Sequence, residues 1–173
     1  MGQIARPHKV NLITGLLASS ADTLAKSKEA LMRAFGAIDF ASPVLDFTQT
    51  DYYAEEMGGG LKRQFLSFEN LFDLDGIWTA KLKTNELEER FTHQGKRPVN
   101  IDPGYIDDAK CVLFSTKDYS HRIHLDKGIF AEVTLFYKEG SFRPWPWTYP
   151  DYKTGAYIEI LNHIREIYRK KKR

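Results

Sequence analysis

Asn100–Tyr137 reads NIDPGYIDDAKCVLFSTKDYSHRIHLDKGIFAEVTLFY, and the way this stretch pairs decides what the rest of the chain can be. Asp102-Pro103-Gly104-Tyr105 predicts a type II turn, because proline pre-sets φ at the second position and glycine takes the positive φ needed at the third. Cys111-Val112-Leu113-Phe114 is a short apolar run that suits a strand covered on both faces. The polarity then flips. Lys117, Asp118, Tyr119, Ser120, His121 and Arg122 follow without an aliphatic residue, at the end of a buried strand where a site would be held rigidly.

The remainder of the stretch predicts a hairpin. His121–Leu125 and Ile129–Tyr137 flank Asp126-Lys127-Gly128, and a three-residue loop ending in glycine fits a type I turn with a G1 bulge. In that register Leu125 faces Ile129, His124 faces Phe130, Ile123 faces Ala131 and Arg122 faces Glu132. Alternation puts Ile123, Leu125, Ile129, Ala131, Val133 and Leu135 on one face with His121. The other face carries Arg122, His124, Phe130, Glu132, Thr134 and Phe136. This face has two readings. Arg122 and Glu132 form a cross-strand ion pair contributing about 0.2–1 kcal/mol with His124 an ordinary exposed or hydrogen-bonded side chain, or they line a cleft for a polar or anionic ligand with a histidine available for proton transfer.

Working back toward the N-terminus, Lys9–Ser19 predicts the first strand, with Gly15 marking a bulge or a close backbone approach. Ser20 or Asp22 caps a helix with Leu24, Leu31, Met32 and Phe35 on one face, ended by Gly36. Val44–Thr50 and Leu61–Phe68 are the next strands, a helix spans about 77–91 with a kink near Thr84, and Arg97–Ile101 is a fourth strand. The order strand, helix, strand, strand, helix, strand matches a ferredoxin-like split βαβ arrangement. Gly58-Gly59-Gly60 is a hairpin connection and not a phosphate loop, since GGGLKR lacks the G-x-x-x-x-G-K-[ST] spacing and leads into a strand. Flanked by Asp51, Tyr52, Tyr53, Glu55 and Glu56, it could fold over a cleft.

Toward the C-terminus, Phe142, Arg143, Pro144, Trp145, Pro146, Trp147, Tyr149 and Pro150 form a stiff aromatic connection. It reads either as packing for the last helix or as a wall on which a base or sugar stacks. That helix begins near Thr154 and has Tyr157, Ile160, Leu161, Ile164 and Tyr168 on one stripe.

The chain has 173 residues, 42% hydrophobic and 28% charged, which suits one domain over residues 1–173 that folds without staples. One cysteine, Cys111, allows no internal disulfide and reads as a buried thiol. MGQIARPHKV has no apolar leader core and no later run reaches membrane-span length, so a cytoplasmic protein with no membrane partner is expected. A net charge of +2 is weak support for nucleic acid, and the basic run Arg169–Arg173 suits a helix C-terminus in any case.

His121 and His124 point to opposite faces of a strand, which argues against a two-histidine metal site. Asp102, Asp118 and Glu132 remain an oxygen-ligand alternative, although no metal is expected. There is no G-x-S-x-G elbow, and Cys111 is too apolar in context for an activated thiol.

NIDPGY, STKDYSHRI, GIFAEVTLFY and WPWTYPDY together resemble an uncharacterised prokaryotic family catalogued as a domain of unknown function, some of whose members are labelled GTP-binding protein. The resemblance spans essentially the whole chain and implies no established activity. This sequence carries neither a Walker A loop nor an N-K-x-D-like guanine motif.

The expectation is therefore an α+β protein with a mostly antiparallel sheet: a ferredoxin-like βαββαβ core extended by a C-terminal β-hairpin and a terminal helix. Its expected partner is a small anionic or nucleotide-like ligand. Arg63, Lys117 and Arg122 hold the anion, and Tyr105 and Trp147 wall the cleft. His121 or His124 moves a proton, with Asp118 or Glu132 orienting it. The alternative is a non-enzymatic RNA-binding module built on an exposed aromatic sheet and the basic tail. The sequence names no cofactor and no oligomeric state.

Overall fold

In the computed structural model, which describes residues 2–48 and 57–173, the long apolar strand β1 (Val10–Ala18) is buried along its whole length. It lies between β4 (Lys62–Phe72) and β5 (Val99–Ile106), antiparallel to both. Outward from β4 come β2 (Ile38–Ala41) and the short β3 (Leu45–Asp46). Outward from β5 come β6 (Lys110–Ser115), β8 (Ile129–Lys138) and β7 (Ile123–Asp126), with β9 (Ser141–Pro144) also on β8. Among the described residues nine strands form one sheet, seven of them in the order β2-β4-β1-β5-β6-β8-β7 with β3 on β4 and β9 on β8, and every pairing is antiparallel.

Alternation along β1 explains the two cores. Leu12 and Leu16 face α1 (Ala21–Phe35) and α2 (Thr79–Phe91), together with Leu66, Phe68, Val99 and Ile101. Ile13 faces the other way, into Phe65, Ile106, Leu135 and the stripe Tyr157, Leu161 and Ile164 of α3 (Gly155–Lys171). Helix α1 is bounded as its sequence dictates: Ser20 Oγ accepts from Thr23 N at 3.1 Å, and Gly36 takes φ 96° while its N–H closes onto Met32 O. Met32 itself is exposed, so the buried stripe of α1 runs through Leu24, Ala30 and Leu31. Thr154 caps α3 in the same manner.

Six local expectations are corrected. Asp102-Pro103-Gly104-Tyr105 is no turn; it runs inside β5, where Pro103 stands beside the first β6 pairing, Gly104 with Leu113. A proline is tolerated where ladder pairing gives out, and Gly104 is required because a Cβ there would stand 2.1 Å from Val112 O. The hairpin loop has two residues, Lys127 (φ 48°) and Gly128 (φ 75°), so Asp126 and not Leu125 pairs with Ile129. The register of β8 against β6 shifts between Val133 and Leu135; Leu135 therefore joins the α3 core while Ile129 joins the other, and the single apolar face breaks at Thr134. Helix α2 continues through Thr84, whose hydroxyl donates to Lys81 O at 3.1 Å. The expected strand Val44–Thr50 is reduced to β3 within the described residues, and Phe142 belongs to a strand, β9, instead of a connection.

Candidate functional site

Helix α2 turns an unusual stripe toward β5: besides Ala80 and Leu87 it buries Lys81, Thr84 and Glu88. Charged side chains are rarely buried unless paired, and here the pairing builds one wall of a cavity of about 790 Å³. Lys81 Nζ donates to Ile101 O at 3.2 Å. Glu88 Oε1 accepts from Ile101 N at 2.6 Å, while Oε2 pairs with Arg97, which also donates to Asn100 Oδ1 at 3.1 Å. Burial pushes the Glu88 carboxyl above its ordinary value, against the pull of Lys81, the Ile101 amide and Arg97.

The floor is organised by Arg63 on β4, whose side chain is 3% exposed. Its Nη1 lies 3.2 Å from Asp102 Oδ2 and its Nη2 lies 3.4 Å from Asp151 Oδ2. Its guanidinium also faces the Phe47 ring at 5.2 Å. Space for it comes from Gly15: a Cβ there would meet Arg63 Nη1 at 3.1 Å and the Tyr152 hydroxyl at 3.3 Å. The close backbone approach expected at Gly15 is this contact. Burial works against charge on Arg63, but the Tyr152 oxygen, Asp102 and Asp151 outweigh it and its pKa rises.

The two carboxylates sharing this guanidinium move in opposite directions. Burial would raise Asp102, yet Arg63, Lys81 and hydrogen bonding from Asn100 hold it below its ordinary value. At Asp151 burial prevails over Arg63 and the Tyr152 amide, and the carboxyl is raised. Neighbouring acids pushed apart in this way can serve as proton donor and acceptor at one pH. The Tyr152 hydroxyl beside them is buried with no hydrogen-bond partner among the described residues.

The far wall belongs to β6, β8 and the segment before β7. Arg122 Nε donates to Glu132 Oε2 at 3.0 Å, Nη1 to Ser115 Oγ at 2.9 Å and to Lys117 O at 3.0 Å, and Nη2 to Tyr149 Oη at 3.4 Å. Its guanidinium lies 4.6 Å from the Tyr119 ring centre. The Arg122 and Glu132 side chains are 4% and 3% exposed, so the expected cross-strand pair is a buried one. His121 Nε2 reaches the same Glu132 oxygen at 3.1 Å.

Of the residues singled out in the sequence, Arg63, Lys117, Arg122 and Glu132 line the cavity together, joined by Asp102. His121 stands behind Glu132, stacked between Tyr119 (5.9 Å) and Trp147 (5.8 Å). Trp147 stacks in turn on Trp145 at 5.1 Å and is not a lining residue. His124 lies on exposed β7, accepting from Gly128 N at 3.3 Å and edge-on to Phe130. Asp118 is exposed and does not line the cavity. Tyr105 is on the α1/α2 side of the sheet against Phe114, its hydroxyl pushed up to about 12 by burial.

Sequence reasoning missed Lys81, Glu88, Arg97, Asn100, Asp151 and Tyr152, while Tyr149 of the aromatic connection does line the cavity. One signal was present: Lys81, Thr84 and Glu88 fall at i, i+3 and i+7, a polar stripe on a helix whose apolar residues form no clean face of their own. Asp51, Tyr52, Tyr53, Glu55 and Glu56 lie outside the described residues.

Among the described residues no group of three His, Cys, Asp or Glu side chains could hold a metal ion, and no helix is long and apolar enough to cross a membrane. The basic C-terminal run is partly engaged within the fold: Lys171 pairs with Asp39 at 2.5 Å and Lys172 with Asp108 at 2.5 Å.

Comparison with known proteins adds one match: residues 8–168 fit the family described as Domain of unknown function (DUF4416). No curated protein and no solved structure matches the chain.

Proposed function

We propose that this chain, which belongs to the DUF4416 family, binds a small anionic or nucleotide-like ligand in the cavity and carries out acid–base chemistry on it. The observation that carries the reading is convergence: Arg63, Lys81, Arg97, Lys117 and Arg122, from four separate segments, meet around one space of about 790 Å³, a volume suited to a small molecule. Lys81 and Lys117 bind the anion as point charges, and the arginines, each held by a carboxylate, shape the walls.

In this reading Asp151 is the proton donor and Asp102 the acceptor, with Arg63 fixing both. Glu132 and Arg122 position the far wall. His121 acts through Glu132, while His124 and Asp118 take no part. A cytoplasmic location fits the single buried thiol. A ferredoxin-like arrangement for the first half of the chain fits the order β2-β4-β1-β5 with α1 and α2 on one face.

Calorimetric titration with phosphate esters and dicarboxylates tests the reading. Wild type should bind at least one such anion, with affinity falling as salt rises. Lys117→Ala and Lys81→Met should each weaken it about tenfold or more. A folded protein that takes up none of them would sink the proposal.

The RNA-binding alternative draws on the stacked rings of Tyr119, His121, Trp147 and Trp145, since Tyr119 and Trp147 are about half-exposed. Short single-stranded RNA binding that Trp147→Ala abolishes and Lys81→Met leaves intact would favour it.

A further inference from the structure

We propose that β7 is the contact strand of a homodimer, pairing antiparallel with β7 of a second copy across a twofold axis so that the two sheets run on as one. The inference is independent of what the cavity binds.

Charges, prolines, short strands and covering side chains are the usual means of keeping an open sheet edge from pairing with another chain. The other borders of this sheet use them. On β2, Asp39 accepts from Ser67 Oγ at 2.6 Å and pairs with Lys171, and Pro43 follows soon after the strand. β3 is only two residues long. On β9, Phe142 N donates to Asn162 Oδ1 at 2.9 Å and the strand ends on Pro144. β7 stands apart. It has β8 on one side and, among the described residues, no strand on the other. Ile123-His124-Leu125 holds no proline, carboxylate or lysine, yet the whole strand is exposed, Ile123 to 72% and Leu125 to 42%. Its one irregularity is a register shift between His124 and Asp126, which leaves Leu125 without a partner residue on β8.

The sequence of β7 complements itself. With Leu125 on the twofold axis, antiparallel pairing sets Leu125 against its symmetry mate and each His124 opposite Asp126 of the other copy, so that one polar contact is made twice. The donors and acceptors match. His124 Nε2 accepts from Gly128 N at 3.3 Å, which makes Nδ1–H its donor. Asp126 engages Lys127 N through Oδ1 at 2.8 Å, leaving Oδ2 to accept. A strand of four residues with its flanking side chains covers less than the roughly 1,200–2,000 Å² of a standard interface, so the dimer should be weak and concentration-dependent.

Sedimentation velocity on the full chain from about 1 to about 300 μM tests this, a span of more than two decades around a micromolar dissociation constant. Wild type should pass from monomer to dimer across that range. Ile123→Lys places a charge on the open edge, and His124→Glu sets two acids opposite each other. Both positions are exposed, so each variant should stay folded by circular dichroism while its dissociation constant rises at least about tenfold. Leu125→Cys should join two chains by a disulfide under mild oxidation, the native Cys111 being buried, and Val44→Cys, exposed elsewhere, should not. A wild type that stays monomeric throughout would overturn the proposal. So would a dimer that both charged variants leave intact, because it would use another face. A dimer that both variants weaken but Leu125→Cys does not crosslink would overturn the pairing on Leu125.

Discussion

Gly15 of β1 and Arg63 of β4 are diagonal neighbours on the α3 side of the sheet, so close that a Cβ on Gly15 would stand 3.1 Å from Arg63 Nη1. The guanidinium that holds Asp102 and Asp151 thus lies almost on the backbone of the central strand. Gly15→Ala must push it away, since the new methyl would also meet Phe65 and the Tyr152 hydroxyl at 3.3 Å and has no free side to turn to. The expected cost is about 1–3 kcal/mol by overpacking. Denaturant titration measures it, and a crystal structure of the variant should show Arg63 displaced.

Gly104→Ala is a harsher change, because its obstacle is backbone. The new methyl would meet Val112 O at 2.1 Å, and relief requires β5 and β6 to separate. The loss should exceed that of Gly15→Ala, and amide exchange should quicken first in Cys111, Val112 and Leu113. Equal losses for the two variants would contradict the close β5/β6 contact.

Arg122→Ala separates a buried pair from a surface one. Glu132 is left 3% exposed without its main cationic partner, and breaking a buried pair from one side costs about 3–5 kcal/mol. Adding Glu132→Gln should restore part of that loss, giving a coupling energy above about 1 kcal/mol in a double-mutant cycle. A loss below 1 kcal/mol in the single variant would mean that the pair is solvated. For this reason Arg122→Ala is a poor probe of binding alone, and Lys81 and Lys117 are better ones.

The pH dependence of stability should distinguish the two aspartates on Arg63. Asp102 titrates below the ordinary 3.8 in the folded protein. Its stabilisation is complete above pH 3.8 and disappears as the pH falls through the folded value. Asp151 titrates above 3.8, so its ionisation costs stability, with the penalty absent below 3.8 and complete once the pH passes the raised value. Asp102→Asn should therefore destabilise at pH 7 and converge on wild type in acid. Asp151→Asn should gain on wild type as the pH rises from 3.8. Denaturation curves from pH 3 to 8 with constant slope are the measurement, and parallel profiles for both variants would refute the assignment.

Features of the sequence that act locally were legible, and those that depend on distant neighbours were not. Ser20 and Gly36 mark the ends of α1 because a cap is a contact within one turn. His124 faces Phe130, Ile123 faces Ala131, and Arg122 reaches Glu132, because hairpin partners are only a few residues apart. Asp102-Pro103-Gly104-Tyr105 misleads because its turn preference is weaker than two flanking strands, one of them β1, nearly ninety residues away. The shift at Thr134 leaves no trace in composition, yet it decides which core receives Leu135. Within the site, Arg63 was legible as a cation but not its partners: Asp151 arrives from 88 residues further on. Lys81 and Glu88 looked like ordinary polar positions until β5 covered them.

The α3 side of the sheet has one further consequence, for the order in which the protein can be completed. Ile13, Phe65, Ile106 and Leu135 are covered by Tyr157, Leu161 and Ile164. The closing bonds span the greatest sequence distances among the described residues: Tyr168 Oη donates to Lys9 O at 3.1 Å, and Lys171 Nζ to Asn11 Oδ1 at 2.7 Å and to Phe68 O at 2.6 Å. On the ribosome, β1 emerges long before α3, its lid. A nascent chain halted before residue 155 therefore presents a bare apolar sheet face, and this is the stage at which a chaperone would have to hold it.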